Sequence, residues 1–198
     1  MSSETAGWGV FFDRDGTLTR EVGYVNHPSR LELLPGAAEA IRLLNNAGIP
    51  AILATNQAGV ARGYFTEGLV GVVLERLEEL LRNLGARLDA LYYCPHHPSV
   101  GAPPYRLDCG CRKPKPGMLL KGAEAFGLDL AQSFVVGDKI SDVEFAHGAG
   151  ASGVMVLTGY GLGEQAYQRE SWKEQPDFLA PDVLAAVDWI LAKRKVGG

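Results

Sequence analysis

Cysteine is scarce in this chain, with three residues in 198, at positions 94, 109 and 111. A small and odd number of cysteines argues against the disulfide framework on which small secreted domains depend. All three cysteines fall in one short segment together with His96 and His97. Because thiolates and imidazoles are ligands of zinc, this clustering indicates a metal site rather than cross-links.

Long apolar runs and an excess of basic residues are missing as well. No stretch approaches the roughly 20 apolar residues that a membrane-spanning helix needs, and the polar residues 1–5 lack the apolar core of a signal peptide. The formal net charge is −4, which provides no basic surface of the kind that attracts nucleic acid. These absences favour a cytoplasmic protein whose partners include neither a membrane nor a nucleic acid.

What the sequence does contain is an alternation of short apolar strands and amphipathic helices. Strands are predicted at residues 10–12, 49–54, 88–93, 133–137 and 153–157, and helices at 37–47, 67–84, 117–126, 140–149 and 181–195. This order predicts right-handed crossovers and a central parallel sheet, so the fold class is α/β. A chain of 198 residues with 46% hydrophobic residues fits one domain spanning residues 1–198. The segment 160–180 is polar and loosely patterned, and no element is predicted there.

Polar residues stand at the carboxyl ends of the predicted strands, where open α/β sheets collect their chemistry. Asp13 and Asp15 follow the first strand, Thr55 follows the second, and Asp138 follows the fourth. Lys113 belongs to the same edge, at the end of the segment that holds the cysteines. Two neighbouring carboxylates repel each other unless a cation or a proton separates them, and hard oxygen ligands at this spacing suit Mg²⁺.

These groups are the set that phosphoryl transfer through an aspartyl phosphate requires. One carboxylate attacks phosphorus in line, and a second protonates the leaving oxygen and later deprotonates water. A hydroxyl and an ammonium hold the phosphoryl oxygens, and Mg²⁺ offsets the repulsion between nucleophile and phosphate. Taken one at a time, the same residues are equally typical of helix caps, solvated turns and surface lysines.

The proline-rich segment of about residues 94–111 predicts a structural zinc site. Cys94 and His96 form a Cys-x-His pair, and Cys109 and Cys111 form a Cys-x-Cys pair. Four such ligands complete a tetrahedral Zn²⁺ site with no open position, and metal binding could order a loop that has no core of its own. His97 is the alternative ligand to His96, and free thiols beside surface histidines are the alternative to a metal site.

The motif order resembles the haloacid dehalogenase superfamily of phosphatases. The resemblance covers about residues 9–159 and lies in Asp13-x-Asp15-Gly16-Thr17, Thr55-Asn56-Gln57, Lys113 and Gly137-Asp138-Lys139-x-x-Asp142. It implies a three-layer Rossmann-like fold around a central parallel sheet, without a large cap domain, for which the chain has no room.

The same resemblance implies a role for each motif residue. Asp13 would be the nucleophile and Asp15 the general acid and base, while Thr55 and Lys113 would steady the phosphoryl group. Mg²⁺ would be held by Asp13, by the backbone carbonyl of Asp15 and by Asp138. Asp142 would orient Lys139 or the waters on the metal.

The zinc loop and its neighbours narrow the resemblance to the family of heptose bisphosphate phosphatases, with the histidinol-phosphate phosphatases as a related branch. Substrate contacts implied by this resemblance are Glu21, Val22, Gly23, Tyr24, Asn56, Gln57, Ala58, Arg112 and Lys139. Arg112 would meet the second phosphate, since a guanidinium fork suits phosphate oxygens. The run 26–29 departs from the acidic sequence associated with that family, which bears on the substrate contacts there and not on the chemistry.

The resemblance therefore implies a monomeric phosphatase with Mg²⁺ and Zn²⁺ as cofactors and a small phosphorylated sugar as substrate. The expected reaction is hydrolysis of the C7 phosphate of heptose 1,7-bisphosphate, a step toward lipopolysaccharide precursors. Histidinol phosphate or another small phosphomonoester is the alternative substrate.

Overall fold

Strands and helices alternate along the chain in the predicted order. The computed structural model of the protein describes residues 7–196, so the polar residues 1–5 lie outside the described part. The strands are β1 (Val10–Phe12), β2 (Ala51–Asn56), β3 (Ala90–Cys94), β4 (Phe134–Gly137), β5 (Ser152–Val156) and β6 (Phe178–Ala180). The helices are α1 (Ala37–Asn46), α2 (Glu67–Asn83), α3 (Gly117–Phe126), α4 (Ile140–His147), α5 (Gly161–Tyr167) and α6 (Val183–Val196). None of these helices is both long and apolar enough to cross a membrane.

The strands form one parallel sheet in the order β3-β2-β1-β4-β5-β6. β1 lies between β2 and β4, with Phe11 opposite Ile52 on one side and opposite Val135 on the other. The strand order therefore reverses at β1, and the carboxyl ends of β1 and β4 flank the crevice where open α/β sheets bind their ligands. The predicted α/β fold with a central parallel sheet is confirmed.

Helices cover both faces of the sheet and complete three layers. Phe12 and Leu53 belong to the core beneath α1, α2 and α6, whereas Phe11 and Ile52 belong to the core beneath α3 and α4. Alternate side chains of a strand point to opposite faces, and here both faces are apolar and buried. Burial of each such large side chain contributes about 1.5–3 kcal/mol. The centre of the sheet is thus a firm support for the polar residues that follow β1 and β2.

Two long loops, and no large cap domain, lie over the carboxyl edge of the sheet in residues 7–196. The loop between β1 and α1 contains only the 3-10 turn Pro28–Arg30. Cys94 ends β3, and the loop between β3 and α3 carries Cys109 and Cys111 and has no regular element of its own. These loops are therefore two of the segments that can supply selectivity for ligands at this edge.

The segment 160–180, where no element was predicted, forms α5 and β6. These elements have seven and three residues, too few to produce a visible period. β6 extends the sheet by pairing with β5, and Trp172 packs between the two elements against Val143 and Met155. Long-range packing, which the local pattern does not reveal, decides their structure.

The predicted second strand is shifted by two residues. β2 spans Ala51–Asn56 rather than 49–54, because Pro50 has no amide hydrogen to donate to the ladder. Thr55 and Asn56 are therefore the last residues of the strand and are held by the sheet.

Candidate active site

Three carboxylates meet at the edge between β1 and β4. Asp13 directly follows β1, Asp138 directly follows β4, and Asp142 lies in the first turn of α4. All three are buried, and one carboxylate oxygen from each lies within 4.8 Å of the others. Without compensation, three buried negative charges this close would repel one another strongly.

Lys113 compensates two of these charges. Its buried Nζ donates to Asp13 Oδ1 at 2.7 Å and to Asp142 Oδ1 at 2.6 Å. Burial by itself lowers the pKa of Lys113, but the charges of Asp13 and Asp142 outweigh burial and raise it. Burial likewise raises the pKa of Asp13, but the ammonium of Lys113 outweighs this and lowers it. The site therefore holds a charged lysine beside an ionised Asp13.

Asn56 fixes the backbone of Lys113. Its Oδ1 accepts from the Lys113 amide at 3.1 Å and its Nδ2 donates to the Lys113 carbonyl at 3.2 Å. The end of β2 thus holds the lysine in register with the carboxylates, although 57 positions separate the two residues.

Asp138 has no such compensation. Its Oδ2 accepts from the Tyr160 amide at 2.9 Å, while its buried Oδ1 has no hydrogen-bond partner within residues 7–196. Burial, assisted by the charge of Asp13, raises the pKa of Asp138 to about 8.

Backbone packs closely around this carboxylate. A Cβ at Gly16 or Gly159 would lie 2.1 or 2.2 Å from Asp138 Oδ2, so only glycine fits there. A cation between Asp13 and Asp138 would satisfy the orphaned oxygen, and hard carboxylate oxygens fit Mg²⁺. The residues present therefore fit the expected metal.

Asp15 lies apart from the three clustered carboxylates and is held by other groups. Arg14 donates from Nε to Asp15 Oδ1 at 3.0 Å and from Nη2 to Oδ2 at 2.6 Å. Gln57 Nε2 lies 3.3 Å from Asp15 Oδ2 and 3.1 Å from Thr55 Oγ1. Arg14 had no predicted role, although an arginine inside an Asp-x-Asp motif is a visible signal.

A cavity of about 230 Å³ opens over these groups. Predicted site residues that line it are Asp13, Asp15, Glu21, Gly23, Tyr24, Asn56, Gln57, Ala58, Lys113 and Lys139. Asp142, predicted to orient Lys139 or the waters on the metal, lines it as well, together with Arg14, Gly59, Ser141 and Tyr160, for which no role was predicted. Thr55 and Asp138 are buried below its surface.

Two predicted substrate contacts lie elsewhere. Val22 lines a neighbouring pocket together with Tyr24, Arg30 and other residues of the first loop. Arg112 is half-buried on the zinc loop, where its Nη1 donates to the His96 carbonyl at 3.2 Å.

Lys139 and Glu21 close one side of the cavity. Lys139 Nζ lies 3.8 Å from Glu21 Oε2 and 4.4 Å from the centre of the Tyr160 ring. Burial opposes the charge of Lys139, but Asp138 and Asp13 outweigh it and raise the pKa of Lys139. The cavity is therefore flanked by two ammonium groups, those of Lys113 and Lys139, and can accept an anion.

The second candidate metal centre lies in the loop after β3. The Sγ atoms of Cys94, Cys109 and Cys111 are 3.1–3.4 Å apart. His96 Nδ1 lies 3.7 Å from Cys94 Sγ and 3.6 Å from Cys111 Sγ, close to the roughly 3.5 Å between sulfur and nitrogen in a tetrahedral zinc site. This donor set fits Zn²⁺.

His97 turns away from the sulfur atoms. Its Nδ1 accepts from the amides of Ser99 and Val100, each at 3.2 Å. The structure therefore brings His96, the preferred of the two histidines, into the cluster.

The fold and the site together define the class of protein. It is an α/β protein with a parallel sheet. At the point where the strand order reverses, buried carboxylates can hold a cation and lysines can hold an anion. Residues 10–85 match the family model described as haloacid dehalogenase-like hydrolase, and residues 110–186 match a model described as HAD-hydrolase-like. The chain belongs to the haloacid dehalogenase-like hydrolases, as its motifs predicted.

Individual relatives are similar over most of their length. A D-glycero-D-manno-heptose-1,7-bisphosphate 7-phosphatase of Thermosynechococcus vestitus is 46% identical, over 91% of this chain and 94% of the relative. The D-glycero-beta-D-manno-heptose-1,7-bisphosphate 7-phosphatase of Escherichia coli K12 is 38% identical, over 82% and 86%. A solved D,D-heptose 1,7-bisphosphate phosphatase from B. bronchiseptica, complexed with magnesium and phosphate, matches with a TM-score of 0.83 at 32% identity, over 94% of this chain and 99% of that chain.

Proposed function

We propose that this protein is a Mg²⁺-dependent phosphatase that removes the C7 phosphate of D-glycero-D-manno-heptose 1,7-bisphosphate through an aspartyl phosphate. The observation that carries the proposal is the cluster at the edge of the sheet. There Asp13 is paired with a buried lysine beside an uncompensated Asp138, in a chain 46% identical to a phosphatase of that name.

Asp13 is the nucleophile. It faces the cavity, it is buried, and Lys113 keeps it ionised. Its carboxylate attacks phosphorus opposite the leaving sugar oxygen. Lys113 reaches the transferring phosphoryl oxygens from the same position, where negative charge develops.

Mg²⁺, held by Asp13, the backbone carbonyl of Asp15 and Asp138, would supply the positive charge that lets an anionic nucleophile approach an anionic phosphate. Asp15 gives a proton to the leaving oxygen and takes one from water in the second step. The Thr55 hydroxyl donates to a phosphoryl oxygen.

The sugar lies in the cavity above these groups. Residues of the first loop, Glu21 to Tyr24, and of the turn after β2, Asn56 to Ala58, surround it. Lys139 and Arg112 attract its anionic groups, and Arg112 binds the second phosphate. Cys94, His96, Cys109 and Cys111 would hold Zn²⁺, which would order the loop that delivers Arg112 and Lys113.

The chain acts as a single domain and a monomer in the cytoplasm, and its product enters the synthesis of lipopolysaccharide precursors. A net charge of −4 fits a partner that is a small molecule rather than a nucleic acid.

The deciding experiment measures phosphate release with Mg²⁺ from heptose 1,7-bisphosphate, heptose 1-phosphate and histidinol phosphate. Release of one phosphate from the bisphosphate, with the 1-phosphate left intact, supports the proposal. Cleavage of histidinol phosphate without cleavage of the bisphosphate would instead make the protein a histidinol-phosphate phosphatase.

A further inference from the structure

A buried network joins the proposed acid, Asp15, to the proposed phosphate-binding hydroxyl of Thr55. Arg14 and Gln57 are its connecting members, with 1% and 5% of their surfaces exposed. Arg14 makes a two-pronged contact with Asp15, and Gln57 Nε2 lies within hydrogen-bond distance of both Asp15 and Thr55. Neither side chain is free to follow a substrate into or out of the cavity.

The chemistry of the partners sets the orientation of the Gln57 amide. Both Asp15 oxygens already accept from Arg14, so a further contact to Oδ2 needs a donor, and Gln57 turns its NH₂ group toward Asp15. The same NH₂ group then donates to Thr55 Oγ1. A hydroxyl that accepts from one neighbour keeps its own hydrogen for another, and Thr55 can therefore donate to a phosphoryl oxygen.

Arg14 sets the plane of the Asp15 carboxylate. Its two donors are in the fixed fork geometry of a guanidinium, so they hold both Asp15 oxygens at once. A proton donor is efficient when its oxygen is held within reach of the leaving atom, and small displacements are costly. The network supplies that constraint from buried side chains in the wall of the cavity.

We propose that Gln57 and Arg14 are positioning residues, which hold Asp15 for proton transfer and aim the Thr55 hydroxyl, and that Gln57 is not primarily a sugar contact. This inference rests on the proposed function, because it assigns Asp15 the proton transfer of that reaction.

The test measures kcat/KM for phosphate esters whose leaving groups differ in basicity. This quantity covers only the steps up to departure of the leaving group, so the later role of Asp15 toward water does not enter it. Suitable esters are a nitrophenyl phosphate, phenyl phosphate, a simple alkyl phosphate and the heptose bisphosphate. Nitrophenolate leaves without a proton, whereas an alkoxide needs one.

For Gln57→Leu and Gln57→Glu we expect kcat/KM to fall about 100-fold for both alkyl esters, because misplacement of a general acid forfeits much of its contribution. For the nitrophenyl ester the fall is about threefold or less, since that leaving group requires no acid. Arg14→Lys keeps the positive charge and loses the two-pronged geometry of the guanidinium. We expect this variant also to lower kcat/KM more for the alkyl esters than for the nitrophenyl ester. Gln132 is half-buried in the 3-10 turn before β4, does not line the cavity, and bonds Asp129 and Arg194 through its side chain. Gln132→Leu is therefore the matched control and leaves the series unchanged.

The dependence on the leaving group is a readout that a purely structural role would not move, because misfolding would lower kcat/KM for all the esters alike. Thermal unfolding shows that each variant is folded before kinetics are compared.

Three results would overturn the inference. Equal losses for all esters would mean that Gln57 and Arg14 do not position Asp15 for proton transfer and act only through the phosphate-binding Thr55 or through folding. A loss confined to the heptose bisphosphate would make Gln57 a sugar contact, and unchanged kinetics would leave the network without function. Failure of the proposed function is separate, because the wild-type protein would then release no phosphate from the bisphosphate.

Discussion

The two clusters that fit a cation are built in opposite ways. The carboxylate cluster joins Asp13 to Asp138 and Asp142, more than a hundred positions apart, because β1 and β4 are neighbours in the sheet. The cysteine–histidine cluster is local, with all four members between Cys94 and Cys111. One cluster is produced by the topology of the whole chain, and the other by a single loop.

The two clusters also differ in which groups balance their charge. Lys113 neutralises much of the carboxylate cluster from within the protein. The sulfur atoms contact one another and His96, and the surrounding loop has no core of its own. We infer that the carboxylate cluster is organised before its metal binds, whereas the loop depends on its metal for order.

Replacement of the nucleophile has the largest expected effect and tests whether the chemistry belongs to the carboxylate cluster. Asp13→Asn keeps the shape of the side chain but cannot form an aspartyl phosphate, so phosphate release should fall on the order of 10⁴–10⁶-fold. The exposed Asp188→Asn on α6 is the control and should retain full activity. Substantial activity in folded Asp13→Asn would show that another group attacks phosphorus.

Removal of the internal cation comes next and tests whether the carboxylate cluster is organised without metal. Lys113→Met leaves Asp13 and Asp142 buried and uncompensated, which should lower the unfolding free energy by about 3–5 kcal/mol in metal-free buffer. Lys115→Met removes a surface pair with Asp108 and should cost less than about 1 kcal/mol. Urea titrations of both variants measure the difference, and equal small losses would contradict the inference.

Removal of zinc tests whether the loop of the cysteine–histidine cluster depends on its metal for order. Chelation should make the loop of residues 94–111 sensitive to protease while the sheet stays folded. Activity should fall about 10–100-fold, because the loop delivers Lys113 to the site. A loss of this size is typical when the groups that support a site are displaced. Zn²⁺ added together with Mg²⁺ should restore activity, and Mg²⁺ alone should not. An active, protease-resistant protein with no zinc by metal analysis would refute the dependence.

The smallest expected effect concerns a third cluster, which lies on the surface and belongs to neither candidate metal site. His147 Nδ1 contacts Glu174, and His147 Nε2 lies 3.0 Å from Asp177 Oδ2. Burial lowers the pKa of His147, but hydrogen bonds to Asp177 and Glu174 outweigh it and raise that pKa. The stabilisation is therefore complete below about pH 6.5 and is lost as the pH rises through the folded-state value.

His147→Gln should accordingly destabilise the protein by less than about 1 kcal/mol near pH 5, and by still less near pH 9, because the cluster is partly exposed. Unfolding free energies of wild type and variant at the two pH values measure the change. A larger loss at the higher pH would reverse the assigned sign.

The carboxyl-edge residues could be predicted as neighbours, but their pairings could not. Asp13, Thr55 and Asp138 end or follow strands of one parallel sheet, and such ends necessarily share an edge. The sequence does not indicate that Asp142 binds Lys113, or that Gln57 bridges Asp15 and Thr55. Those contacts depend on side-chain directions that packing sets.

The order of strands and helices, the family, and the two sets of candidate ligands were determined by the sequence itself, because apolar periodicity and ligand spacing are local properties. Tertiary structure alone decided the sixth strand and the choice of His96 over His97. It also decided the burial of Arg14 beneath Asp15 and the isolation of one Asp138 oxygen. Each of these depends on which distant groups come within a few ångströms, and that follows from closing the whole sheet and its two helical layers around one core.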